Sequence, residues 1–332
     1  MNNIEAIQYL AQENAKHMVP AKDISTQRSE VPYFIIKRND MGRCVAEGFN
    51  YHWHDNANRM PFFMQYLNNA VLPHVKGDCC GVYPIELHDS YTYLDRDRGL
   101  DIAEIYNNKD KQAIFSFAKF KEDTRPVLIP DPYMIVNWNG HRVTDAIPFE
   151  EKENRAYFYG TTTGNRKASE NVRLQWCKWS LERPNKALFD FKITHVAQMS
   201  TDSIVQAYGN DVWNKMHLPY RVPIDEQLKM RYHVVLDGNT CRFDIWNYNT
   251  NCLTLKAASK EMLWYYPYLQ HDEHYVEVTK NNIEKACMYY SQNPKDAERI
   301  LQNAKNMYHR LSRPLTHVIY TTQLFETIAE NK

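Results

Sequence analysis

The chain has 332 residues, 43% of them hydrophobic and 24% charged, an ordinary globular composition that is long enough for two domains. Forty basic residues balance forty acidic ones, so there is no electrostatic case for a nucleic-acid partner. The seven cysteines contain no C-x-x-C pair, which argues against a disulfide framework or a zinc ribbon and points to a reducing compartment.

Residues 4–17 place Ile4, Ile7, Leu10 and Ala11 at helical spacing and predict a short amphipathic helix. The opening residues are polar and lack a signal-peptide run, and no stretch approaches the roughly 20 apolar residues of a membrane span. A cytoplasmic protein with at most peripheral membrane contact is the expectation. Tyr33–Lys37 and Cys44–Glu47 flank a polar turn and predict a hairpin. Arg59 to Val75 reads as a helix ending near Gly77.

From Gly81 the pattern changes to short β-rich runs. Predicted strands are Gly81–Leu87, Ala113–Phe117, Val127–Ile129, Ala156–Tyr159, Ala187–Thr194, Arg231–Leu236, Cys252–Lys256 and His274–Val278. Their alternation with helical segments argues an α/β fold. Asn293-Pro294 suits a helix start, and Ile300, Leu301, Ala304, Met307, Tyr308 and Leu311 form one apolar stripe after it. A last helix is predicted over Thr316–Ala329. Asn139-Gly140 and the charged run 150–154 set the expected boundary near residues 140–155, giving one domain over 1–150 and a second over 151–332.

Four segments carry possible chemistry. Ala156 to Arg166 is a β-like run that ends in a loop bearing Gly160, Thr161, Thr162 and Gly164. Ligands of α/β sheets sit at the carboxyl ends of strands, and loop amides beside a helix start suit phosphate. Arg166, Lys167 and Arg173 are then placed to neutralise a diphosphate. The same composition also suits a polar surface turn.

Arg231 to Arg242 repeats the arrangement. A strand runs into Asp237, Gly238, Asn239 and Thr240 and then meets Arg242. Asp-Gly is also a turn signal in its own right. Asp89 closes a third segment, where a carboxylate suits a general base and equally a capping residue. Asp95-Arg96-Asp97 imitates a metal-holding carboxylate pair, although its mixed charges also suit a solvated loop.

The order of these segments resembles glycosyltransferase family 90, the capsule-associated and lipopolysaccharide-modifying transferases related to protein O-glucosyltransferases. The resemblance rests on Ile114-Phe-Ser-Phe117, Leu128-Ile-Pro-Asp-Pro132, Phe158-Tyr-Gly-Thr-Thr-Thr-Gly164 with Arg173-Leu174, Lys229 through Asp237-Gly238 and Arg242, and His274-Tyr-Val-Glu-Val278. It covers roughly residues 80–310. Tyr159 stands where the family carries an arginine, and Glu277 where it carries a proline.

The resemblance implies a GT-B-like architecture, with two Rossmann-like domains facing across a cleft and C-terminal helices. It implies inverting, metal-independent transfer from a UDP-linked sugar to a hydroxyl of a glycan or lipid-linked glycan, such as lipopolysaccharide or capsule. No cofactor beyond the nucleotide sugar is expected. Asp89 is the expected base. The expected donor contacts are Gly160, Thr161, Thr162, Gly164, Arg166, Arg173, Asp237, Gly238, Asn239, Thr240 and Arg242. The competing expectations are a metal-dependent transferase using Asp95 and Asp97, and a catalytically inactive carbohydrate-binding protein of the same fold.

Overall fold

A computed structural model describes residues 3–20, 32–51, 58–87, 114–123, 126–131, 143–239 and 242–332, without the side chains of 242–244. In chain order the main elements are α1 (Asn3–Ala15), β1 (Tyr33–Arg38), β2 (Cys44–Phe49), α2 (Arg59–Tyr66), β3 (Gly81–Pro84), β4 (Ile114–Ser116), β5 (Ala118–Phe120), β6 (Pro126–Leu128) and β7 (Glu153–Thr161). Then come α3 (Val172–Leu181), β8 (Phe189–His195), α4 (Thr201–Tyr208), α5 (Asn210–Met216), β9 (Met230–Val235), β10 (Leu253–Ala257), β11 (Glu261–Leu263), β12 (Val276–Val278), α6 (Ile283–Gln292), α7 (Pro294–Leu311) and α8 (Pro314–Glu330).

The chain divides into two units. The first comprises Met1–His141, Lys260–Pro267 and Arg310–Lys332; the second comprises Arg142–Ser259 and Tyr268–His309. The second unit begins a few residues before the expected boundary at 150/151, and α8 falls in the first unit.

In the first unit β1 pairs antiparallel with both β2 and β3. The turn between β1 and β2 is built by Asn39, whose Oδ1 accepts from the backbone N–H groups of Met41 and Arg43, and by Gly42 at φ +71°. β4 pairs parallel with β6, and Ile85 bridges parallel to Phe115. The described strands of this unit are therefore mixed, where one of the two expected Rossmann-like domains would carry a parallel sheet. The aromatic residues fill its core: Phe34, Phe63, Tyr83, Phe115 and Phe325 pack with ring centroids 5.1–6.4 Å apart. The Asn14 side chain of α1 donates to Tyr320 of α8 at 2.8 Å and to the Leu128 carbonyl at 2.9 Å.

The expected single helix over 59–75 is α-helical to Tyr66, then a π turn over Leu67–Val71, then a 3-10 turn over Leu72–His74. Asn293 also acts differently from expectation. Its amide donates to the Tyr289 carbonyl and so closes α6, while Pro294 does open α7.

In the second unit five strands form one parallel sheet in the order β12-β10-β9-β7-β8. Side chains alternate across it. Ala156 and Phe158 of β7 join Phe191, Ile193, Val234, Leu255 and Val276 in the main core, packed against Leu174, Ile204 and Ile283 from helices. Tyr157 faces the other way with Met230 and Cys252. Both faces are thus covered, as parallel sheets require. At the amino ends of the strands, Lys152 and Asp145 form an ion pair at 2.9 Å with both side chains buried. Lys152 also donates to the Leu228 carbonyl, and Asp145 Oδ2 accepts from Asn251 N at 2.7 Å.

Candidate functional site

Counted within the parallel sheet, the strand order is 2-1-3-4-5. The order reverses between β7 and β9, the first and third strands. A doubly wound sheet offers its ligand crevice at the carboxyl ends of the strands at such a reversal. Both glycine-bearing turns leave from there: β7 runs into Thr162–Glu170, and β9 runs into Asp237–Asn239.

The two turns pack backbone against backbone. Gly164 has φ +116°, and a Cβ on it would lie 3.1 Å from the Gly238 carbonyl oxygen. A Cβ on Gly238 would stand 2.5 Å from Thr163 Oγ1 and 2.6 Å from Arg173 Nη2. Only glycine allows this approach. Gly164 N–H is shared by Gln198 Oε1 and Asn239 Oδ1, each at 3.1 Å.

Arg173, on the first turn of α3, clamps the pair. Its Nη1 donates to Thr163 Oγ1 at 2.8 Å and to the Thr161 carbonyl at 3.2 Å. Its Nε and Nη2 donate to the Leu236 carbonyl at 3.3 and 3.1 Å. The guanidinium also lies 5.7 Å from the Phe158 ring centroid. A half-buried cation bonded to both turns fixes the distance between them.

Asn171 caps α3 and stitches the loop to it. Its Oδ1 accepts from Leu174 N at 3.1 Å, and its Nδ2 donates to the carbonyls of Thr162 at 2.9 Å and Asn165 at 3.0 Å. Thr162 ties the loop to the segment after β8: its hydroxyl donates to the Ala197 carbonyl at 2.7 Å and accepts from Ala197 N at 2.8 Å.

Of the expected donor contacts, Thr161, Thr162, Gly164, Arg173, Gly238 and Asn239 share this hydrogen-bonded cluster. Gly160 lies within β7, opposite Ile193 of β8, where a Cβ would strike its own neighbour ring at Phe158. Arg166 is exposed and Asp237 half-buried. Thr240 and the Arg242 side chain lie outside the described residues, as do Asp89, Asp95 and Asp97. Tyr159, at the family's arginine position, donates its hydroxyl to Asp190 of β8. Burial, then that bond to a carboxylate, pushes its phenol far above the usual range.

Sequence reasoning missed Asn171 and Gln198. Asn171 immediately before Val-Arg-Leu was a legible cap signal. Gln198, at φ 66° after β8, accepts from Gly164 N–H and leaves no local signature in the sequence.

Among the described residues, no group of His, Cys, Asp and Glu side chains is arranged to hold a metal, and no helix is long and apolar enough to cross a membrane.

No family model matches the chain, and no curated protein matches it. Among solved structures it is similar to the C-terminal domain of a glycosyl transferase group 1 family protein (LpcC) from Francisella tularensis. That likeness is at 10% identity and a TM-score of 0.30, over 55% of this chain and 93% of that one.

Proposed function

We propose that the chain is a glycosyltransferase that takes its sugar from a nucleotide diphosphate donor, UDP-linked by preference, and passes it with inversion to a hydroxyl of a glycan or lipid-linked glycan. The observation that carries the reading is the back-to-back packing of Gly164 and Gly238 at the reversal of the parallel sheet. Glycine turns at that place let a ligand's phosphates approach the backbone. The order of the sequence motifs supports the same reading.

In this proposal the two turns cradle the diphosphate, and Arg242 and Arg166 bring further positive charge to it. Arg173 keeps the turns at their spacing and adds its charge to the cradle. Asp89 takes the proton from the acceptor hydroxyl as that oxygen attacks the anomeric carbon opposite the diphosphate. A general base of this kind contributes about 10²–10⁴-fold. Charge developing on the departing diphosphate is met by guanidinium groups, which stay ionised and bind phosphate oxygens bidentately. No metal is assigned a part.

A panel of nucleotide sugars and free nucleotide diphosphates, scored by thermal shift, tests the donor assignment. A UDP-sugar is expected to raise Tm with a concentration dependence set by its affinity. No rise with any nucleotide at millimolar concentration would overturn the proposal. Nucleotide diphosphate release that is lost in a folded Asp89→Asn variant, and unchanged by excess chelator, is the expected catalytic signature. Donor binding without any release would leave the carbohydrate-binding alternative.

A further inference from the structure

Three thiols of the first unit come together where β2, β1 and the segment leading into β3 meet. The described cysteines are all free. Cys44 opens β2 and pairs in register with Arg38 of β1. Cys79 and Cys80 immediately precede Gly81, which pairs with Ile36 on the other edge of β1. Strands on either side of a third are about 9.6 Å apart. The Cys44 and Cys80 side chains nevertheless reach across the end of β1 to bring their Sγ atoms within 4.0 Å. Both are half-buried and open to a small reagent, whereas Cys79 is fully buried.

The Asp78–Cys80 segment has a swivel and a tether. Gly77 ahead of it has φ +93°, a conformation other residues rarely adopt. Lys332 donates to both the Cys80 carbonyl and Asp78 Oδ2. Closing a 4.0 Å contact to a bond of about 2 Å needs this short segment to move, and leaves the ladder of β1 with β3 in place.

We propose that Cys44 and Cys80 are a dithiol site that closes into a reversible disulfide when a small-molecule disulfide is supplied. One protein thiolate attacks a sulfur of the reagent, forming a mixed disulfide and expelling one reagent thiolate. The second protein thiolate then attacks the protein sulfur of that mixed disulfide and expels the other reagent thiolate. Two protein thiols are oxidised, one small disulfide is reduced to two thiols, and the two protein protons pass to the expelled thiolates. Burial, reinforced by the neighbouring Cys44 and Cys80 thiols, pushes Cys79 up to about 12, and burial, reinforced by Asp78 and the Cys44 thiol, pushes Cys80 up to about 11.

The test is native oxidation of the full chain with oxidised glutathione, followed by acid quench, alkylation and non-reducing tryptic mapping. The expected product joins the peptide of residues 44–59 to that of residues 77–96, with two free thiols fewer per chain, and dithiothreitol reverses it. Cys79→Ser should keep this link, and Cys80→Ser should lose it. A map showing no link between those peptides, a link formed only after denaturation, or a link that survives Cys80→Ser but not Cys79→Ser would each overturn the assignment. Fragmentation of the linked wild-type peptide between Cys79 and Cys80 places the bond without relying on any variant to fold, and a bond placed on Cys79 would overturn the assignment.

Discussion

Gly238 lies under the guanidinium of Arg173, so close that a methyl group on it would stand 2.6 Å from Nη2. That spacing couples a backbone turn on one strand to a side chain on the helix that follows its neighbour. Gly238→Ala must therefore move Arg173, the turn, or both. Overpacking of this kind costs about 1–3 kcal/mol. We expect the variant to fold, to unfold at lower urea concentration, and to lose the Tm rise given by a UDP-sugar.

Arg173 is the next test. A lysine keeps the charge but cannot satisfy the Leu236 carbonyl, the Thr161 carbonyl and the Thr163 hydroxyl together. Buried acceptors left unmet cost about 1–3 kcal/mol. Arg173→Lys should accordingly resemble Arg173→Ala in urea unfolding. Wild-type stability in the lysine variant would show that the arginine serves only as a cation.

The Asp145–Lys152 pair makes a prediction independent of ligand. Removing one partner of a buried pair strands the other, at about 3–5 kcal/mol. Lys152→Met should show this loss, and Lys152→Met with Asp145→Asn should recover part of it. Equal stability of the single and double variants in denaturant would mean the two charges are not coupled.

Two histidines set a pH dependence. Burial holds His233 down to about 3 and His317 down to about 4, against an ordinary 6.5. The folded chain keeps both neutral where the unfolded chain takes up protons. Stability is therefore unaffected above about 6.5, falls as pH drops below it, and keeps falling until pH approaches those depressed values. Each histidine adds a slope of up to about 1.4 kcal/mol per pH unit in that window. Urea midpoints at pH 7, 6 and 5 should decline, and His317→Gln should flatten part of the decline. A His317→Gln profile parallel to wild type would remove that residue from the account.

The strands around the candidate site were legible because they are apolar runs punctuated by glycine. The predicted 156–159, 231–236 and 252–256 fall within or beside β7, β9 and β10. Their lateral order was not legible. Nothing local in the sequence says that β9 lies beside β7 and not beside β8, since that choice is made by the helices that cover each face. The Gly-Thr loop and the Asp-Gly turn could therefore be named, but their contact could not. Arg173 illustrates the same limit. Its charge suggested a phosphate partner, while its hydrogen bonds go to carbonyls 12 and 63 residues away along the chain. The short antiparallel pair of β5 and β11 escaped notice because each strand has three residues and its partner lies far off in sequence.

The membership of α8 in the first unit has a consequence for synthesis. The aromatic core of that unit needs Phe325, which follows the whole of the second unit in the chain. On the ribosome, Phe34, Phe63, Tyr83 and Phe115 emerge early and wait for their last partner, while the five-stranded sheet of the second unit has all its strands by Val278. The later-emerging unit is thus the one equipped to fold first, and the first-made aromatic cluster is the surface that nascent-chain chaperones would have to guard longest.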